Sequence, residues 1–311
     1  MKESKLWRGL HRPNIAAAEA DFIIQGISFD EGCSQRMGAA QAPDYLRKMS
    51  DRHPPVTEAG KVIEADIYDG GNLNPRPEEG QEDFFERVAG RATEILALSK
   101  PDASPFPIFL GGDHSITIPI LKSIQKVYGD MLEGVAIIHI DSHLDLCDEL
   151  DGNPLSHGST HRRGWELELF TPEETYFVGT RSMEEQELKF LEGKNSNIYR
   201  AREISRRGAE YVAAEIINSI DVDRAYLTLD IDVLDPAFAP GTGTPVAAGP
   251  DTGQVWTLLK EFSSLSLLGM DLVEVSPPWD NSEITSYAAR HLLFSMIGFL
   301  TPRDKKKTPL H

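Results

Sequence analysis

Short runs of apolar, often β-branched residues recur along this chain. Each is followed by a longer stretch in which apolar positions return every three to four residues. The runs at 21–28, 62–67, 107–110, 135–140, 175–179, 224–229 and 267–273 predict strands. The helical period predicts helices over 82–99, 116–128, 184–192, 208–219, 252–262 and 284–300. Strands alternating with helices indicate an α/β fold, a mostly parallel sheet covered on both faces in three α-β-α layers. Segments 69–80 and 236–250, rich in Pro and Gly, read as loops within one domain spanning 1–311. Residues 1–20 read as an N-terminal arm and 301–311 as a flexible tail. Lys305-Lys306-Lys307 in that tail is expected to be solvated, not a site for an anionic partner.

Three of the apolar runs end in groups that bind cations. Ile137-Ile138-His139-Ile140 leads into Asp141-Ser142-His143-Leu144-Asp145, and Ala225 to Leu229 leads into Asp230-Ile231-Asp232. Side chains alternate along a strand. Extended backbone would therefore turn Asp141, His143 and Asp145 one way, and likewise Asp230 and Asp232. The run at 107–110 ends in Gly111-Gly112-Asp113-His114-Ser115, whose glycines allow a tight strand-to-helix turn that leaves His114 at the same edge. Sites in open α/β sheets form beyond the carboxyl ends of strands, where all six groups fall. Two imidazoles and four carboxylates on one spot repel one another unless cations sit between them. Such oxygen-rich donors suit Mn²⁺ better than Zn²⁺. Six side chains for two ions require a bridging carboxylate, which sets the ions roughly 3.5–4 Å apart.

Composition narrows the function classes. The 311 residues are 40% apolar, enough for a substantial core, and contain no run long enough to span a membrane as a helix. Forty-nine acidic against 31 basic residues give a net charge of −18, which argues against nucleic-acid binding. The excess could steer cationic substrates. With two cysteines, Cys33 and Cys147, and no apolar leader, the expected location is the cytoplasm. Cys147 is near Asp145, but a soft thiolate does not match the hard ligands around it.

Gly111 to Ser115, Asp141 to Asp145, and Asp230-Ile231-Asp232-Val233-Leu234-Asp235-Pro236 resemble the three signatures of the ureohydrolase family, which contains arginase, agmatinase and their relatives. Asp271-Leu272-Val273-Glu274-Val275-Ser276-Pro277 is similar to that family's substrate-binding segment. Further similarity lies in Gly26-Ile27-Ser28-Phe29-Asp30, Arg36-Met37-Gly38, Ala42-Pro43 and Ala239-Pro240-Gly241-Thr242-Gly243. The early segment, and Ser156-His157-Gly158 followed by Arg162-Arg163, look most like agmatinase.

The resemblance implies an arginase-like fold, hydrolysis of a small guanidino compound to urea and an amine, two Mn²⁺ per subunit, and a homotrimer or homohexamer. By position it implies that His114, Asp141, Asp145 and Asp230 hold one ion. Asp141, His143, Asp230 and Asp232 would hold the other, with Asp141 and Asp230 bridging. It makes Asp145 the acceptor of the attacking water's proton, His157 a proton shuttle on a loop free to reach the site mouth, and Glu274 a partner for the guanidinium. A carboxylate at a strand end can accept two hydrogen bonds from that planar fork.

Other residues read more plainly. His139 shares the ligands' parity but lies deeper, so a packed histidine is expected, and His161 is expected to be structural. Asp113 should point away from the ions, and Asp235 should brace the turn into Pro236. Ser142 stands where the family often has Ala, a small-for-small exchange. The stretch from Leu146 to Leu155 matches the family least and is expected to reach the substrate's far end. Its acids Asp148, Glu149 and Asp151 suit an amine terminus such as that of agmatine, which would yield putrescine. Guanidinobutyrase, guanidinopropionase and formimidoylglutamase share the metal motifs but act on carboxylate-bearing substrates. Those would need a cation there, for which Arg162, Arg163 and Arg181 are candidates. A silent relative would lack a ligand, His157 or Glu274, and none is missing.

Overall fold

The computed structural model describes residues 6–99 and 105–301. Eight strands form one sheet: β1 Phe22–Ile27, β2 Ile67–Leu73, β3 Phe106–Leu110, β4 Ala136–Ile140, β5 Thr175–Thr180, β6 Asn197–Arg200, β7 Ala225–Asp230 and β8 Leu267–Val273. Their order is β2-β1-β3-β8-β7-β4-β5-β6, and every pairing is parallel. Parallel strands buried on both faces are mostly apolar along their length, which is why β4 and β8 read as hydrophobic segments broken only by His139 and by Gly269 and Asp271.

Alternation along the strands divides the core in two. Ile24, Ile108, Ile138, Leu227 and Leu229 face one layer, built from α1 (Ala42–Ser50), α7 (Ala209–Ser219), α8 (Thr252–Phe262) and α9 (Ile284–Leu300). Ile23, Ile27, Phe109, Ile137 and Tyr226 face the other, built from α2 (Gln81–Leu98) and α3 (Thr117–Tyr128). The expected three layers are present. No helix among the described residues is long and apolar enough to cross a membrane.

Several expected elements differ. The strand expected over 62–67 lies one segment later, as β2. Val62 is 55% exposed and makes only an isolated bridge with Val56, whereas Gly70 and Gly71, read as loop, belong to this edge strand. β6 has no clear sequence signal because it is a four-residue edge strand, half-buried throughout. Three short helices were also unforeseen: α1, α4 (Thr160–Trp165) and α6 (Ala201–Arg207). The seven-residue α5 (Glu185–Leu191) lies where one was expected. The N-terminal arm is pinned from Leu6 onward: Trp7 is fully buried and its Nε1–H donates to Asp69 at 2.6 Å. The lysine run at 305–307 lies outside the described residues.

The consequence for chemistry is the central order β3-β8-β7-β4. These four neighbours end side by side, carrying His114, Glu274, Asp230 and Asp141 past their carboxyl ends.

Candidate metal centre

All six expected ligands converge. Strand alternation is not what brings them together, because the strands end first. β4 stops at Ile140, and Asp141 to His143 follow as bends, with Asp145 beyond them in left-handed backbone (φ 55°). Asp230 closes β7, and Asp232 lies in a 3-10 turn whose N–H donates back to Asp230 Oδ1 at 2.7 Å. His114 opens a 3-10 turn after β3, capped by Asp113, which accepts from Ser115 N–H at 3.0 Å. Gly112 permits that turn: a Cβ there would fall 1.7 Å from the Phe29 carbonyl oxygen.

Two donor groups result, and they share Asp141. In the first, His114 Nδ1 lies 3.0 Å from Asp141 Oδ2, 3.1 Å from Asp145 Oδ2 and 3.4 Å from Asp230 Oδ2. In the second, His143 Nδ1 lies 3.4 Å from Asp141 Oδ1 and 3.2 Å from Asp232 Oδ2. His114 Nδ1 and Asp141 Oδ2 are buried and make no hydrogen bond among the described residues, though only 3.0 Å apart. Lone pairs aimed at a common space, without a mutual bond, are what a cation between them requires.

Protonation agrees. Burial, then the charges of Asp232 and Asp141, pushes Asp230 well above the usual carboxylate range, and burial and Asp141 raise Asp145. Burial works against a charged His114, but Asp141, Asp145 and Asp230 outweigh it and hold the imidazole well above its ordinary value. Without cations the cluster must hold protons. Divalent ions would reverse that balance. Four buried carboxylates beside two imidazoles fit a hard divalent pair of the manganese type.

A second layer holds the ligands. His114 Nε2, with Nδ1 facing the carboxylates, meets Thr228 Oγ1 at 2.7 Å, and that hydroxyl donates to Asp271 Oδ1 at 2.5 Å. Tyr226 and Thr117 hydroxyls donate to Asp271 Oδ2, each at 2.9 Å. The ring is thereby fixed in one tautomer. Asp271 is the site residue missing from the sequence expectations, although a lone acid inside the apolar run of β8, in register with Thr228, is a readable signal. Ser142 also contributes, donating to Asp232 Oδ1 at 2.8 Å. As expected, His139 and His161 are packed beneath: His161 Nε2 meets His139 Nδ1 at 2.7 Å, and His139 Nε2 reaches the His143 carbonyl oxygen at 3.2 Å. Asp235 accepts from the N–H groups of Ala237, Ala248 and Gly249, bracing its turn.

His157 is not free on its loop. It is 7% exposed, its N–H donates to the Gly32 carbonyl oxygen at 3.0 Å, and its Nδ1 lies 3.0 Å from Glu274 Oε1. Ser34 closes the other side, its Oγ 2.9 Å from His157 Nε2. Burial opposes a charged His157, but the Glu274 hydrogen bond outweighs it and raises the imidazole to about 9. Glu274 also accepts from the His114 N–H at 3.0 Å and has left-handed backbone (φ 63°). Holding Asp145 and Glu274 this way costs about 1–3 kcal/mol each, strain that clusters at functional positions. Glu274 Oε2 is buried without a hydrogen-bond partner.

A cavity of about 360 Å³ opens from this centre, lined by His143, Asp145, His157, Asp151, Glu184 and Thr244 among others. The stretch from Leu146 to Leu155 contributes Cys147, Leu150 and Asp151 to its wall, so of its three acids only Asp151 is there. Asp148 instead pairs with Arg163 at 2.8 Å. No Lys or Arg is among the described residues lining the cavity. Arg162 stacks on Phe190, 3.6 Å from its centroid, and Arg181 donates to backbone carbonyls of Val246, Val233, Asp232 and others.

A profile of the Arginase family matches residues 20–298. The chain is 36% identical over 286 residues to a guanidinobutyrase of Pseudomonas aeruginosa, covering 91% of this chain and 87% of that protein. It is 30% identical over 293 residues to an agmatinase of Proteus mirabilis, covering 90% and 88%. Among solved structures, proclavaminate amidino hydrolase from Streptomyces clavuligerus superposes with a TM-score of 0.84 at 28% identity, covering 95% and 96%.

Proposed function

The chain belongs to the arginase family and is a hydrolase acting on C–N bonds of linear amidines; from that premise we propose that it splits agmatine into urea and putrescine with two Mn²⁺ ions. The observation that carries this reading is the pair of donor groups sharing Asp141, with the His157–Glu274 pair beside them. His114, Asp141, Asp145 and Asp230 would hold one ion, and Asp141, His143, Asp230 and Asp232 the other. When bound, the ions supply Lewis-acid activation of water at neutral pH.

The chain's own groups do the rest. Glu274 Oε2, without a partner, accepts from a guanidinium N–H and presents the central carbon to the attacking water. Asp145 accepts the proton that the water loses. The amine is a poor leaving group until protonated, and His157, charged below about 9, supplies that proton as the C–N bond breaks. The hydroxyl proton left on the attacking oxygen passes to the departing amine as the urea carbonyl forms, and the proton held by Asp145 recharges His157, so water and guanidinium yield urea and a protonated amine.

Agmatine is favoured by the cavity wall, where Asp151 and Glu184 provide negative charge and no Lys or Arg among the described lining residues waits for a carboxylate. The competing substrate is guanidinobutyrate, favoured by the 36% identity to a guanidinobutyrase. Urea release from agmatine, arginine, guanidinobutyrate and guanidinopropionate separates them. Turnover of an acid with none of agmatine would overturn the substrate choice. The proposal also carries a cytoplasmic location and assembly into a trimer or hexamer, which light scattering reads directly.

A further inference from the structure

Cys33 lies beside the His157–Glu274 pair, half-buried in the turn after β1, its Sγ 3.4 Å from the Arg36 carbonyl oxygen. One ligand atom each from Cys33, His157 and Glu274 lies within 4.8 Å of the other two. Glu274 is 1% exposed, and its Oε2 has no hydrogen-bond partner. A Cβ added to Gly243 would come 3.1 Å from that oxygen and 3.2 Å from the Cys33 sulfur. The thiol and the free carboxylate oxygen therefore flank one space that glycine leaves open.

We propose that Cys33, His157 and Glu274 form a further cation site, selective for a soft divalent ion of the zinc or cadmium type, and that filling it shuts out the guanidino substrate. Thiolate, imidazole and carboxylate with a fourth position open to water form a zinc donor set. The neighbouring centre offers hard oxygen and imidazole, so the two sites sort ions by softness. Burial, then the charge of Glu274, pushes the Cys33 thiol up to about 12, with Asp113 and Asp30 adding to it. Without a cation the thiol stays protonated and is a poor nucleophile. A divalent ion would displace that proton, and the one that keeps His157 charged, and meet the surrounding negative charge. The inhibitory half of the proposal rests on the functional reading above, because an ion held here occupies the groups assigned to the guanidino end.

The test is a Cd²⁺ titration of manganese-loaded enzyme. It follows thiolate-to-cadmium charge-transfer absorbance, manganese content, and urea release at several agmatine concentrations. The expected result is a saturable band, inhibition competitive with agmatine, and full retention of manganese. Cys33→Ser should lose the band and weaken inhibition at least about tenfold, while releasing urea at the wild-type rate without cadmium. Cys147→Ser should keep both band and inhibition. A band that persists in Cys33→Ser, unchanged inhibition in that variant, or manganese leaving as inhibition sets in would overturn the proposal. Should the manganese-loaded enzyme release urea from no guanidino compound, the functional reading falls. The cadmium band and its loss in Cys33→Ser then still decide whether the site exists.

Discussion

Replacing Asp271 with Asn keeps the side-chain shape but turns one acceptor oxygen into a donor. Asp271 is fully buried and accepts from three hydroxyls, those of Thr228, Tyr226 and Thr117, so at least one of them would face an N–H instead. Losing a hydrogen bond to a buried charged acceptor costs about 1.5–3 kcal/mol. Part of that falls on global stability. The rest falls on His114, whose Nε2–H depends on Thr228 being oriented by Asp271. Removing such an outer partner typically weakens metal affinity about 10–100-fold. Asp271→Asn is therefore expected to bind Mn²⁺ at least about tenfold more weakly, read by titrating apoenzyme and following free Mn²⁺ by electron paramagnetic resonance. Thr228→Val should reproduce the defect, and Thr228→Ser should restore near-normal affinity. A variant that is less stable to denaturant yet binds Mn²⁺ as the wild type does would refute the argument, leaving Asp271 a core residue only.

Other substitutions separate the remaining roles. His157→Gln should cut kcat by about 10²–10⁴ with manganese content unchanged; loss of manganese would make it a ligand instead. His157 is charged below about 9, so its acid function is present at neutral pH and disappears as pH rises through that value. The wild-type kcat should show an alkaline limb there that the variant lacks. By linkage, the same raised value contributes stability that is complete below about 6.5 and lost as pH rises through about 9. Asp230→Asn should abolish both manganese binding and urea release, and full turnover would remove Asp230 from any bridging part. Asp151 is exposed, so Asp151→Asn should raise KM for agmatine by no more than about fivefold; an equal rise for guanidinobutyrate would show that it does not read the far end by charge.

Much of this was readable from residue patterns, and the failures have physical causes. The strands β3, β4, β7 and β8 were legible because parallel strands buried on both faces are mostly apolar along their length. β2 and β6 were misplaced or missed because edge strands carry polar residues and glycines. The ligand types are plain from the acids and imidazoles at strand ends, but strand alternation does not account for their convergence. The left-handed Asp145 and the 3-10 turn at Asp232 do that work, and both depend on backbone angles that composition does not reveal. Pairings across great sequence distance were invisible. His157 and Glu274 lie 117 residues apart, and the histidine is buried because its turn packs on the one that His114 opens beside Glu274.

Anomalous diffraction from crystals grown with Mn²⁺ bears most directly on whether this sheet edge is a two-ion centre. The account predicts two manganese peaks per chain, one among His114, Asp141, Asp145 and Asp230 and the other among Asp141, His143, Asp230 and Asp232. A single peak, or ions lying away from Asp141, would contradict it.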